Sequence, residues 1–252
     1  MARYYSDETI KLLKGEHASL HWRSFQLQQR CIEYKFRNEQ AKKFALHGFS
    51  RRLGTLVRCI DNIFRAIPPE LDGVPTFDQT QDAAIQVQAF IFNVFGCLDN
   101  LGWVWVLERN ITKPNGMPFP PEWVGLRAVN TAVRDSLGQE LRKYLESISD
   151  WFEYLEDVRH ALAHRIPLYV PPFPIAPDNE SRYIDLERSI TSLVLQGKTA
   201  EAQAKKMEQD SLKFFDPWIA GAARGMVLFH GQMLNDFKTI EVIGAKLLAE
   251  LT

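Results

Sequence analysis

The run from Ala89 to Leu107 limits what this chain can fold into more than any other stretch. It is long enough to cross a bilayer, yet it carries Asn93, Asp99 and Asn100, which are costly in hydrocarbon. Wound as a helix it is apolar nearly all round, through Phe90, Ile91, Phe92, Val94, Phe95, Leu98, Leu101, Trp103 and Val104. Such a helix must be wrapped by other elements, so it is predicted to lie at the centre of a soluble bundle. Asp78 with Gln81 resembles a capping box that would open it, and it should run to about Arg109. The chain has 252 residues, 46% of them apolar, enough to supply the wrapping within one domain spanning 1–252.

The remaining patterning is also helical. Residues 7 to about 46 read as one long helix or two. Phe49, Leu53, Leu56, Ile60, Ile63 and Ile67 recur at helical steps until Pro68-Pro69 ends them. A helix over about 149–165 buries Phe152, Leu155, Val158 and Leu162. Pro167, Pro171, Pro172, Pro174 and Pro177 then enforce an extended crossing. A C-terminal helical extension over about 180–251 follows, with Gly197 stopping one helix and Thr199 opening the next. Asp216-Pro217 reads as the N-cap and first turn of a long last helix. No alternating strand pattern appears. The expectation is an all-α bundle of about six to eight helices with a proline-rich extended connection after the 149–165 helix.

Net charge is −1, so no global basic field marks the chain for nucleic acid; Arg51-Arg52 and Lys205-Lys206 read as solvated helix charges. The N-terminus, Met-Ala-Arg-Tyr-Tyr-Ser-Asp-Glu, has no apolar signal core, which points to the cytoplasm and away from a membrane. Cys31, Cys59 and Cys97 are widely spaced in apolar contexts and read as reduced core residues. Gln196-Gly-Lys-Thr199 lacks the earlier glycine of a phosphate loop, where Ser192 stands, and follows no strand.

The candidate chemistry lies in Asp157-Val-Arg-His-Ala-Leu-Ala-His-Arg-Ile-Pro167. His160 and His164, four apart, share a helical face, with Arg159 and Arg165 beside them. A proton-transfer group next to fixed positive charge suits phosphodiester chemistry. Five residues along a helix set Arg159 and His164 about 140° apart, and the helix end near His164 would also let that side chain turn towards Arg159. The spacing recurs at Arg224-Gly-Met-Val-Leu-Phe-His230, but glycine follows that arginine and the segment reads as core helix. Asp99 and Asn100 either face the motif and orient it, or form a helix–helix hydrogen bond.

Arg159-x4-His164, with a polar residue after the arginine, resembles the Rx4-6H motif of the HEPN superfamily, and Arg159 to Pro172 is similar to the motif region of bacterial HEPN-like proteins. The resemblance implies a helical-bundle, metal-independent endoribonuclease without cofactor. His164 would move the proton, Arg159 would stabilise charge on the phosphate, and His160 would orient either of them. Arg165, Asp99 and Asn100 would contact substrate. The resemblance further implies a homodimer that joins two motifs in one cleft, RNA or nucleotide as ligand, and an antitoxin-like protein as a further partner. Two other readings stand beside it. One is a non-catalytic helical module that binds nucleotide or protein, which the absence of a basic stripe favours. The other is a metal-binding bundle in which the HxxxH pair His160/His164 meets a second pair, His17/His21.

Overall fold

The computed structural model describes residues 4–223 and 225–251. The fold is all-α. Helix α1 (Asp7–Glu33) starts on Ser6, whose hydroxyl accepts from the Thr9 amide at 3.2 Å. The chain then breaks: Glu108 accepts from the Arg37 and Asn38 amides at 2.7 and 3.1 Å, and Asn38 caps α2 (Glu39–Lys43). A π-helical stretch, Phe44–Phe49, leads into α3 (Ser50–Ala66). The central helix, α4 (Phe77–Glu108), does open on a capping box, but its members are Thr76 and Gln79, two residues before the expected pair. Short α5 (Thr131–Ser136) and α6 (Gln139–Ser147) precede α7 (Ser149–His164), which has the bounds its pattern predicted. Helices α8 (Glu180–Leu195) and α9 (Thr199–Asp210) follow, and α10 (Phe229–Leu251) closes the fold.

Helix α4 is the hub. Helices α3 and α10 pack on it, α1 covers both of those, and α7 takes part of its remaining surface. It is long and apolar enough to cross a membrane, but most of its apolar stretch is buried against the other helices. The largest fully buried side chains, Phe49, Phe90, Phe229 and Phe237, come from α3's π-helical approach, α4 and α10. Cys31, Cys59 and Cys97 are buried and free, as expected of core residues.

Asn100 explains part of the polarity of α4. Arg52 donates through Nε to Asn100 Oδ1 at 3.1 Å and through Nη1 to Asn93 Oδ1 at 3.0 Å. Its guanidinium lies where a Cβ on Gly96 would stand, 2.3 Å from Cζ, so a side chain at that position would push it off the two asparagines. Arg52 is therefore a helix–helix tie between α3 and α4 rather than a solvated charge. Asn100 belongs to the same tie, not to a substrate site.

The C-terminal third departs from the predicted extension. Asp216-Pro217 does not start the last helix. It leads into an antiparallel pair, β1 (Trp218–Ile219) and β2 (Val227–Leu228), and α10 begins only at Phe229. Gly221 and Gly225, at φ of 110° and 102°, take the chain out of helical space between them. A Cβ on Gly221 would also meet the Pro167 carbonyl at 3.0 Å. The proline-rich crossing docks here, through paired hydrogen bonds between Tyr169 and Ala220 and a bridge from Ile175 to Lys213. Helix α10 then returns to the core, whereas α8 and α9 pack chiefly on each other. His230 lies at the start of α10, buried, donating to the Ile67 carbonyl at 2.7 Å; Arg224 lies outside the described residues.

Candidate active site at the end of helix α7

Helix α7 is anchored by a buried stripe, Trp151, Phe152, Leu155, Val158 and Ala161. Beneath it, Asp236 Oδ1 accepts from Trp151 Nε1 at 2.8 Å and from Gln232 Nε2 at 2.7 Å. Complete burial pushes the Asp236 carboxyl up to about 7, against the pull of those two donors. The opposite face of α7 carries Arg159, His160 and His164, all exposed. The helix ends at Arg165, whose amide still reaches the Ala161 carbonyl at 3.0 Å, because Pro167 bars the α region to Ile166.

Arg127, Glu156, Arg159, His160, Ala163 and His164 line one depression of about 310 Å3. Arg159 and His164 thus border the same space although they leave the helix at different angles. Helix α7 stays regular through His164, so side-chain reach, not unwinding, brings them together. The His160 and His164 rings lie 5.1 Å apart, tilted by 56°. Neither imidazole has a hydrogen-bond partner among the described residues.

Helix α4 supports the arginine. The Arg159 guanidinium sits 4.9 Å from the centroid of the Phe95 ring. Asp99, one turn further along α4, feels Arg159, Arg127 and Arg52 together. Crowding by the surrounding protein raises its carboxyl above the ordinary range even though the side chain reaches solvent, and the three arginines pull it back. Asp99 therefore belongs to the motif and Asn100 to the core, and the two neighbours separate cleanly. Arg127 joins the site from the loop before α5 and donates to Glu156 Oε1 at 3.2 Å. No motif or spacing in the sequence marks it. Arg165 turns back to Asp157 Oδ1 at 3.4 Å and does not line the depression.

The second histidine pair is placed elsewhere. His17 and His21 reach Asp61 of α3, at 2.8 Å to Oδ1 and 2.9 Å to Oδ2 respectively. Helix α1 packs on α3 and α10, while α7 packs on α4, so the two HxxxH pairs do not face each other as a metal cage requires. Among the described residues no group of three or more His, Cys, Asp or Glu side chains is arranged to hold a metal ion. Comparison with family models, curated proteins and solved structures yields no match for this chain.

Proposed function

We propose that this chain is a cytoplasmic, HEPN-like RNA-binding protein with metal-independent endoribonuclease activity. The observation that carries the reading is the convergence of Arg159, His160, His164 and Arg127 on one open depression, with both imidazoles unpartnered. RNA brings its own nucleophile. The ribose 2′-oxygen attacks phosphorus, the P–O5′ bond breaks, and a cyclic phosphate and a 5′-hydroxyl result. His164 accepts the 2′ proton or, when protonated, delivers one to O5′, and a second copy of the motif across a two-fold dimer supplies the other transfer. Arg159 holds the phosphate oxygens as charge accumulates on them. His160 orients the phosphate or its neighbour.

The test is cleavage of labelled single-stranded RNA in excess chelator. Arg159→Ala and His164→Ala should each lower the rate by about 100-fold or more. Cleavage that survives both substitutions, or that requires added metal, overturns the reading.

One observation favours a non-catalytic module that binds nucleotide or a protein of the antitoxin type. Glu156 engages Arg127 and Asp157 engages Arg165, so two of the three arginines at the motif are neutralised in place. Under that reading both alanine variants lose ligand affinity, and wild type never cuts.

A further inference from the structure

Helix α3 carries Arg51, Arg52, Arg58 and Arg65 against a single acid, Asp61. Arg52 is spent on α4. The other three recur every seven residues, so they stand about 10 Å apart along one ridge. All three are exposed. Arg51 and Arg58 have no ion pair among the described residues, and Arg65 donates to the neutral Asn62 at 3.0 Å. Arg182, Lys205, Lys206 and Lys213 of the α8–α9 region are, by contrast, each held by a carboxylate.

Helix α1 runs beside this ridge. There Trp22 and Phe25 stack on each other, centroids 5.7 Å apart and planes within 25°, while remaining 62% and 54% exposed. A single exposed ring is ordinary. Two stacked rings left to solvent beside unpaired guanidiniums are not. His21, Phe25, Arg58 and Asp61 line a depression of about 270 Å3 between the helices. Lys14, His17 and Arg65 line a second, about 400 Å3, which shares Asp61 with the first. The carboxylates in this groove are occupied, Asp61 by the two histidines and Glu70 by Lys14. The arginines are not.

We propose that the α1–α3 groove binds single-stranded nucleic acid, with phosphates on the Arg51/Arg58/Arg65 ridge and bases on the Trp22–Phe25 platform. The ring faces call for unstacked bases, which a duplex does not offer. A second copy docked about a two-fold axis would set the arginine ridge against itself, so charge complementarity favours a polyanion. The site is separate from the α7 depression and stands whether or not that depression cleaves.

The experiment uses a fluorescein-labelled deoxythymidine oligonucleotide of about 20 nucleotides, which spans the ridge and lacks the 2′-hydroxyl that cleavage requires. Wild type should bind it with salt-dependent affinity. Arg58→Gln with Arg65→Gln should weaken binding at least tenfold and reduce the slope of log K against log salt by about 1.4, the release expected for two phosphates. Phe25→Ala should weaken it roughly tenfold with the slope unchanged. Arg182→Gln, a cation of the α8–α9 region already held by Glu208, should bind within about twofold of wild type. The substituted side chains are exposed, and circular dichroism melts verify folding. Absence of wild-type binding at low salt, or unaltered binding by the double variant, overturns the proposal. So does a groove substitution that changes only the sedimentation of the protein alone, since that assigns the face to self-association. Loss of RNA cleavage with oligonucleotide binding intact breaks only the nuclease reading.

Discussion

Two helices carry histidines four residues apart, and the fold treats the two pairs in opposite ways. On α1, His17 and His21 close on the two oxygens of Asp61, and His17 also stacks on Phe64 with centroids 4.2 Å apart. On α7, His160 and His164 touch each other and no carboxylate. The arginines show the reverse arrangement. Those beside the α7 pair lean on Phe95, Glu156 or Asp157, whereas Arg58, which lines a depression with His21, stands free. Free imidazoles with braced cations suit proton transfer at a held phosphate. Braced imidazoles with free cations suit binding alone. Identical spacing therefore says little, and the partners on the facing helix decide the role.

The largest effect expected from breaking this contrast is in RNA cleavage. His164→Ala should cost about 100-fold, while His17→Ala and His21→Ala should stay within about threefold in the same gel assay. Equal losses from both pairs would erase the distinction.

The next effect concerns what holds the α7 pair in place. Asp236 has a folded-state pKa of about 7 against an ordinary value of 3.8, so folding favours its protonated form. That preference is fully present below about pH 4 and is lost as pH rises through 7. Asp236→Asn should therefore melt higher than wild type at pH 8, by on the order of 2 kcal/mol after the cost of unmatched amide protons. The advantage should shrink as pH falls through 7 and reverse towards pH 4, where only the cost of the unmatched amide protons is left. An Asn advantage that grows on acidification would contradict the buried-carboxyl account.

Asp61→Ala should destabilise the protein by about 1 kcal/mol, since half-buried His17 loses its partner while exposed His21 turns to water. His160→Ala should change stability by less than about 0.5 kcal/mol. Thermal melts of the two variants compare the pairs directly. The smallest effect is expected at Asp99, a positioning residue beneath Arg159. Asp99→Asn should weaken RNA affinity by only about threefold and leave the oligonucleotide salt slope unchanged, because it alters no phosphate contact.

Local patterning made much of this fold legible. The bounds of α7, the Gly197 stop and the Thr199 start follow from periodicity and turn chemistry that act within a few residues. The failures are long-range. Asp216-Pro217 has the composition of a helix start, but Gly221 packed against Pro167, far away in sequence, claims the segment for a hairpin. Arg52 looks like half of an ordinary basic pair until Gly96 reveals the space it fills. Arg127 enters the candidate site from a loop, where no spacing rule applies. The seven-residue repeat of Arg51, Arg58 and Arg65 was visible in the sequence, but near-zero net charge hid it. A local ridge is a matter of placement, which a sum over the chain cannot register.

The position of α10 also bears on how the chain is made. Its partner α4 ends at Glu108, and α10 begins at Phe229, some 120 residues later. At ribosomal speeds of roughly 5–20 residues per second, the most apolar helix waits on the order of ten seconds for one of its walls. During that interval α1 and α3 are its main shelter. Substitutions that loosen the Arg52 tie should therefore lower the yield of soluble protein more than they lower the melting temperature of what does fold.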